Sequence, residues 1–190
     1  MAAGEMLGRI RQALTEYAPR RIEDLTAVPA AVLILVYERE GEVHVLFTER
    51  TDQVEHHKGQ VCFPGGTRDQ ADNCLKITAL RETYEEIGVR TEDVQIVGHL
   101  DEIVTVSNFR VTPFVGILDA KQEYPFVLNQ REVAQVVQIP LVFLMDERNM
   151  ELEVREQNGR PILTPAFSYN NHRIWGATAR MLHQFIELLR

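Results

Sequence analysis

Phe63-Pro64-Gly65-Gly66, then Asp72-Asn73-Cys74, then Arg81-Glu82-Thr83-Tyr84-Glu85-Glu86-Ile87-Gly88-Val89 is the stretch on which this sequence turns. From Cys74 to Gly88 the pattern is helical, with Asp72 and Asn73 as candidate N-caps and Gly88 suited to the left-handed position just past a helix end. At 100° per residue, Glu82, Glu85 and Glu86 share one face of that helix, and Ile77, Leu80, Tyr84 and Ile87 share the opposite one. On an arbitrary helix such a charge run is a solvated surface, where like charges one turn apart cost only a few tenths of a kcal/mol. Here the helix is entered from Pro64-Gly65-Gly66 and left through Gly88, so special backbone positions fix both ends. In a partly enclosed site, two carboxylates about 5 Å apart repel by roughly 3 kcal/mol at an effective dielectric of 20, and three such groups need a cation. Hard carboxylate oxygens without neighbouring cysteine or histidine ligands select Mg²⁺ or Mn²⁺ over zinc. A magnesium site that keeps its waters suits a phosphate or diphosphate substrate.

Outward from this segment, the spacing predicts alternating strands and helices. Leu7, Ile10, Leu14 and Tyr17 fall at helical spacing, so the first 18 residues read as an amphipathic helix ending before Pro19. Ala30 to Tyr37 is a continuous apolar run, expected as a buried strand, and Gly41 turns the chain into a second strand over Val43 to Thr48. Residues 49–60 read as a polar loop, Val61-Cys62-Phe63 as a short strand that stops at the glycine turn. Val94 to Val106, Val111 to Leu118 and Val133 to Ile139 read as further strands. Asn158-Gly159 predicts a hairpin between Leu152 to Glu156 and Pro161 to Phe167, and Ile174 to Leu189 a closing helix. Residues 1–190 are expected to form a single domain, with residues 1–27 as N-terminal helix and lead-in. The architecture is α/β, a mixed central sheet with helices on its faces.

Composition narrows the function. Twenty basic against 28 acidic residues give a net charge of −8, which disfavours nucleic acid as a partner and favours divalent cations. Two cysteines, Cys62 and Cys74, suit a reducing cytoplasm, with Cys62 expected as a packed small hydrophobe. The N-terminal stretch carries Glu5, Arg9, Arg11 and Glu16 and so lacks the apolar core of a signal peptide, and nothing approaches an apolar run of about 20 residues that would span a membrane. Arg50, Lys58 and Arg68 flank the Gly-Gly turn, where each serves equally as a phosphate contact or a solubilising charge. His57 is either a substrate contact or a loop histidine bonded to backbone, and Trp175 is expected in the core or at its rim. Oligomeric state is not fixed by the sequence, and a homodimer stays open.

The stretch from Gly66 to Val89 resembles the signature of the Nudix hydrolases, G-x5-E-x7-R-E-U-x-E-E-x-G-U with U aliphatic. Asp72 stands for the first glutamate, one residue is inserted before Arg81, and Thr83 occupies the aliphatic position. A narrower resemblance, over about residues 28–182, is to the coenzyme A pyrophosphatase branch. It rests on Leu46 to Thr51, His57 to Gly66, Asp69, Asp72, Thr105 to Phe109, Val111-Thr112-Pro113 and Ile174 to Ala179. The departure is Glu55, where that branch has an arginine. The resemblance implies a Nudix-like α/β/α sandwich that hydrolyses a nucleoside diphosphate linked to another moiety. Coenzyme A or an acyl derivative leads, giving adenosine 3′,5′-bisphosphate and 4′-phosphopantetheine; ADP-ribose or a dinucleotide is the same-fold alternative, and a non-catalytic regulatory nucleotide-binding module the third. Glu82, Glu85 and Glu86, with the Gly66 carbonyl, are the implied Mg²⁺ or Mn²⁺ ligands and Arg81 their orienting partner. Glu132, ahead of the Val133 strand, is the candidate base, and Arg50, His57, Lys58 and Arg68 the candidate substrate contacts.

Overall fold

The computed structural model describes residues 2–23, 26–52, 59–119, 124–157 and 160–190. Helix α1 (Ala3–Glu16) leads into strands β1 (Val28–Arg39) and β2 (Glu42–Arg50), then β3 (Val61–Cys62), β4 (Gly65–Thr67) and helix α2 (Leu75–Ile87). Strands β5 (Val94–His99), β6 (Ile103–Val104), β7 (Phe109–Leu118) and β8 (Val133–Pro140) follow, with a short helix α3 (Leu141–Met145). The chain closes with β9 (Met150–Gln157), β10 (Arg160–Tyr169), β11 (His172–Ile174) and helix α4 (Gly176–Leu188). No helix among the described residues is long and apolar enough to cross a membrane.

The apolar run of β1 is continuous because the strand is buried on both faces. Ala31, Leu33, Leu35 and Tyr37 cluster with Ala79, Leu80 and Ile87 of α2. Ala30, Ile34 and Val36 cluster on the other side with Met6, Ile10 and Leu14 of α1 and Leu182, Phe185 and Ile186 of α4. The result is the expected α/β/α sandwich on a mixed sheet ordered β3-β2-β1-β7-β5. β1 runs parallel to β7 and antiparallel to β2, its hairpin closed by Glu40 and Gly41, both at positive φ, as a two-residue turn of the primed type requires. A second sheet, ordered β11-β10-β9, flanks the first.

Along its first half, β1 changes partner. Ala30, Ala31 and Val32 pair with Thr67, Gly66 and Gly65, and the Leu33 amide donates to the Pro64 carbonyl at 2.9 Å. The glycine segment, read from sequence as a turn ending a strand, is therefore itself a strand, β4. It lies so close to β1 that a Cβ on Gly65 would sit 2.3 Å from the Ala31 carbonyl oxygen. Three other expectations shift. The stretch from Val94 to Val106 divides into β5 and β6, both antiparallel to β7, with Leu100, Asp101 and Glu102 between them. Ile174 belongs to β11, paired with Phe167, and the last helix starts only at Gly176, whose φ of +63° marks the boundary. Cys74 holds the N-cap position of α2 without a side-chain bond, so neither Asp72 nor Asn73 caps it. β9 and β10 pair in the expected hairpin register, although Asn158 and Gly159 themselves lie outside the described residues.

Candidate active site

α2 packs on β1 and β4 with its acidic face turned partly inward. Ala79, Thr83, Glu86 and Ile87 are buried, whereas Ile77 and Tyr84, expected on the apolar face, are exposed. The small side chains of Ala79 and Thr83 let the helix roll toward the sheet. Thr83, at the position the signature gives to an aliphatic residue, returns its hydroxyl to the Ala79 carbonyl at 2.7 Å, so its polarity is satisfied in the core. The roll grades the three carboxylates: Glu85 is 52% exposed, Glu82 17% and Glu86 3%. Gly88, at φ +71°, ends the helix as expected and returns its amide to the Tyr84 carbonyl.

Arg81 binds the cluster together. Its guanidinium donates to Asp72 at 2.9 and 3.1 Å, to Glu82 Oε1 at 2.8 Å, to Glu85 Oε2 at 3.1 Å and to the Thr67 carbonyl at 3.2 Å. Asp72 is buried and also accepts from Thr78 and the Asp69 amide. Its carboxyl is held well below the usual carboxylate range, chiefly by Arg81, and that pairing raises Arg81 in turn. Arg81→Met should therefore cost roughly 3 kcal/mol, because it leaves a buried carboxylate without its cation. Calorimetry would show the loss at neutral pH, and show it shrinking as pH falls below 3.8, the ordinary value of Asp72, toward its lowered folded value.

Gly66 backs the site. A Cβ on Gly66 would lie 2.5 Å from Glu82 Cδ, so the Glu82 carboxylate rests directly on the strand backbone. Glu82 is raised by burial and then by Glu85 and Glu132, against the lowering effect of Arg81. Glu86 is pushed up to about 8, first by burial and then by Glu82 and Glu132, with Arg50 and the Gly65 amide opposing. Two buried atoms here, Glu86 Oε2 and Arg50 Nε, have no hydrogen-bond partner among the described residues. Among the described residues no three histidine, cysteine, aspartate or glutamate side chains converge closely enough to enclose an ion as they stand, since Arg81 holds Glu82 and Glu85. The donor set nevertheless fits a hard divalent cation: three carboxylates on adjoining turns, one with a buried, unmatched oxygen that water cannot reach.

Glu132 reaches this cluster from outside the helix. Its charge acts on both Glu82 and Glu86. Asn129, a residue sequence reasoning missed, fixes it: the Asn129 amide donates to the Glu86 carbonyl at 2.9 Å, and its side-chain Nδ2 donates to Glu132 Oε1 at 3.1 Å. Thr51, at the end of β2, holds the same loop through the Arg131 and Glu132 carbonyls. Arg50 faces Glu86 and Cys62. The Cys62 thiol is pushed up to about 11 by burial, which suits the packing role expected of it rather than nucleophilic work. Arg68 donates to the Asp72 and Asn73 carbonyls, tying down the loop before α2. Trp175 is half-buried at the rim, with Arg155 4.3 Å over its ring. Glu55, His57 and Lys58 lie outside the described residues.

Comparison with known proteins points the same way. Residues 27–157 match the family model of the NUDIX domain. Nudix hydrolase 3 of Caenorhabditis elegans is 36% identical over 190 residues, covering 90% of this chain and 78% of that protein. The Mus musculus peroxisomal coenzyme A diphosphatase NUDT7 is 34% identical over 168 residues, covering 85% and 70%. Among solved structures, a C. elegans Ap4A hydrolase binary complex superposes with a TM-score of 0.50 at 19% identity, over 60% of this chain and 80% of that one, a likeness of fold alone.

Proposed function

The chain belongs to the Nudix family, in its coenzyme A pyrophosphatase-like branch, and is a diphosphate hydrolase; from that premise we propose that its substrate is coenzyme A or an acyl derivative. The products are then adenosine 3′,5′-bisphosphate and 4′-phosphopantetheine. What supports hydrolysis at this site is the buried, unmatched Glu86 oxygen beside a Glu82 carboxylate braced on Gly66. What supports coenzyme A is the extent of the likeness to the mouse coenzyme A diphosphatase.

In this reading Glu82, Glu85 and Glu86, with the Gly66 carbonyl, hold Mg²⁺ or Mn²⁺. Such an ion supplies positive charge at the diphosphate and lowers the pKa of the attacking water. Arg81 orients Glu82 and Glu85 through the bonds it already makes. Glu132 takes the proton from the water. Arg50, whose Nε is buried without a partner among the described residues, is the proposed donor to a phosphate oxygen; Arg68, His57 and Lys58 are further proposed contacts around the glycine segment. Both cysteines are free, and we propose the cytoplasm as the compartment, with the mouse relative's peroxisome as the alternative that localisation would reveal.

The decisive experiment incubates the protein with Mg²⁺ and, separately, coenzyme A, ADP-ribose, dinucleotides and nucleoside triphosphates, and identifies products by mass. Preferred cleavage of coenzyme A is expected; preferred cleavage of ADP-ribose or a dinucleotide would overturn the substrate, and turnover of none would favour a binding module. Glu132 has its own test. Asn129→Ala should lower kcat by roughly 10- to 100-fold with KM little changed, because it loosens the base and leaves substrate contacts in place. A rise in KM alone would remove Asn129 and Glu132 from the proton transfer.

A further inference from the structure

One apolar sheet face is left uncovered far along the chain from the carboxylate site. In the β9–β10 hairpin, Leu152 lies opposite Pro165 and Val154 opposite Leu163. Leu152, Val154 and Leu163 are all exposed, Val154 to 72%. The strip is continuous with the core, since Met150 and Phe167, the next pair on the same face, pack into it. The other face of β9 is charged: Glu153 accepts from Arg155 and Arg173. β9 is also the outer strand of its sheet among the described residues, so its outward backbone groups meet no neighbouring strand.

We propose that a second copy of this chain occupies this free edge, with β9 pairing antiparallel to its own copy about a two-fold axis at Val154. The charge pattern selects that register. An axis at Leu152 sets Glu151 against Glu153 of the second copy, and an axis at Glu153, Arg155 or Glu156 sets each against itself; like charges directly opposite are destabilising. With the axis at Val154, Glu153 faces Arg155 of the second copy and Arg155 faces its Glu153. Val154 then packs side by side with its own counterpart across the join, next to Leu163 of its own chain. The contact is isologous, as a two-fold dimer requires. Eight residues of strand make a small interface, so association is reversible and depends on concentration.

Sedimentation velocity over a roughly hundredfold range of protein concentration should show monomer passing to dimer. Val154→Lys, which brings two like charges together on the axis, should stay monomeric throughout with its melting temperature unchanged, because the side chain it replaces is exposed. Crosslinking reads the register. Cys74 is exposed and is first replaced by serine, which suits an N-cap. In that background Val154→Cys should form a disulfide-linked dimer under mild oxidation, since directly opposed residues lie about 4.5–5.5 Å apart at Cα, within disulfide range. Leu152→Cys, opposite Glu156 of the second copy, should crosslink about tenfold less. A wild-type protein that is monomeric at every concentration, a dimer that survives Val154→Lys, or equal crosslinking by the two cysteine variants would each overturn the proposal.

Discussion

Glu86→Gln is expected to lower turnover by at least roughly a thousandfold while making the metal-free protein more stable at alkaline pH. The two effects share one cause. Glu86 is 3% exposed and its Oε2 has no partner among the described residues, so its charge is costly unless the proposed cation offsets it. Its pKa, raised from 4.5 to about 8, means that the folded protein holds a proton there that the unfolded chain has already released. Stability of the metal-free wild type should therefore fall as pH rises from about 4.5 through about 8, by about 1.4 kcal/mol for each unit of pKa shift, and level off above. Glutamine keeps the shape and removes the slope. Melting curves between pH 5 and pH 9 in the presence of chelator, beside Mn²⁺ titration and rate measurements, test both halves. Near-normal rates in the variant would sink the assignment of Glu86 as a ligand. Equal pH slopes in variant and wild type would sink the account of its burial.

Gly66→Val should lower turnover by roughly a hundredfold or more and move the melting temperature much less. Gly66 is not at positive φ and sits in a strand, so its backbone accepts a side chain without strain. What a side chain meets is the Glu82 carboxylate, with Cδ 2.5 Å and both oxygens 2.6 Å from the new Cβ. Glu82 must swing away, dragging on Arg81 and withdrawing one of the proposed ligands. Gly65 is the control. There a Cβ would strike the Ala31 carbonyl oxygen at 2.3 Å and Val32 Cα at 2.6 Å, on a backbone with φ +154°, so Gly65→Ala should unfold the protein more readily than it alters chemistry. Rates measured at low temperature, beside thermal melts of both variants, separate the two. If Gly66→Val loses stability and keeps its turnover, the strand is structural and the proposed carboxylate site has lost its wall.

What could be read from the sequence was whatever obeys local geometry. Glu82, Glu85 and Glu86 lie together because a helix turns 100° per residue, and β1 was evident from a run of apolar residues that only double-sided burial explains. The orientation of the helix was less legible. Apolar periodicity assigned Ile77 and Tyr84 inward, yet the helix presents Ala79 and Thr83 to the sheet, and that small pair at i and i+4 beside Glu86 was the available sign of close approach. Asp72 had the residue type of an N-cap. Its real partner, Arg81, stands nine residues on and returns over it only once β4 and α2 are docked. Asn129 carried no signal at all, because its contact with the end of α2 joins segments that are distant in sequence. Ile174 looked like helix because an apolar residue fits either period, and only its pairing with Phe167 decides the matter.

Arg81 has a consequence for how the protein would live with and without the proposed ion. Many small metal centres are assembled by the metal, and the apo chain is unfolded. Here a guanidinium already bridges Glu82, Glu85 and Asp72 and offsets part of their charge from within. Loading of the proposed site would then be an ion exchange, in which a divalent cation displaces part of a resident monovalent one and gains the difference between two partners. On the proposed reading that competition would lower affinity and insulate the fold from metal supply, and the protein is expected to empty and refill as a folded object.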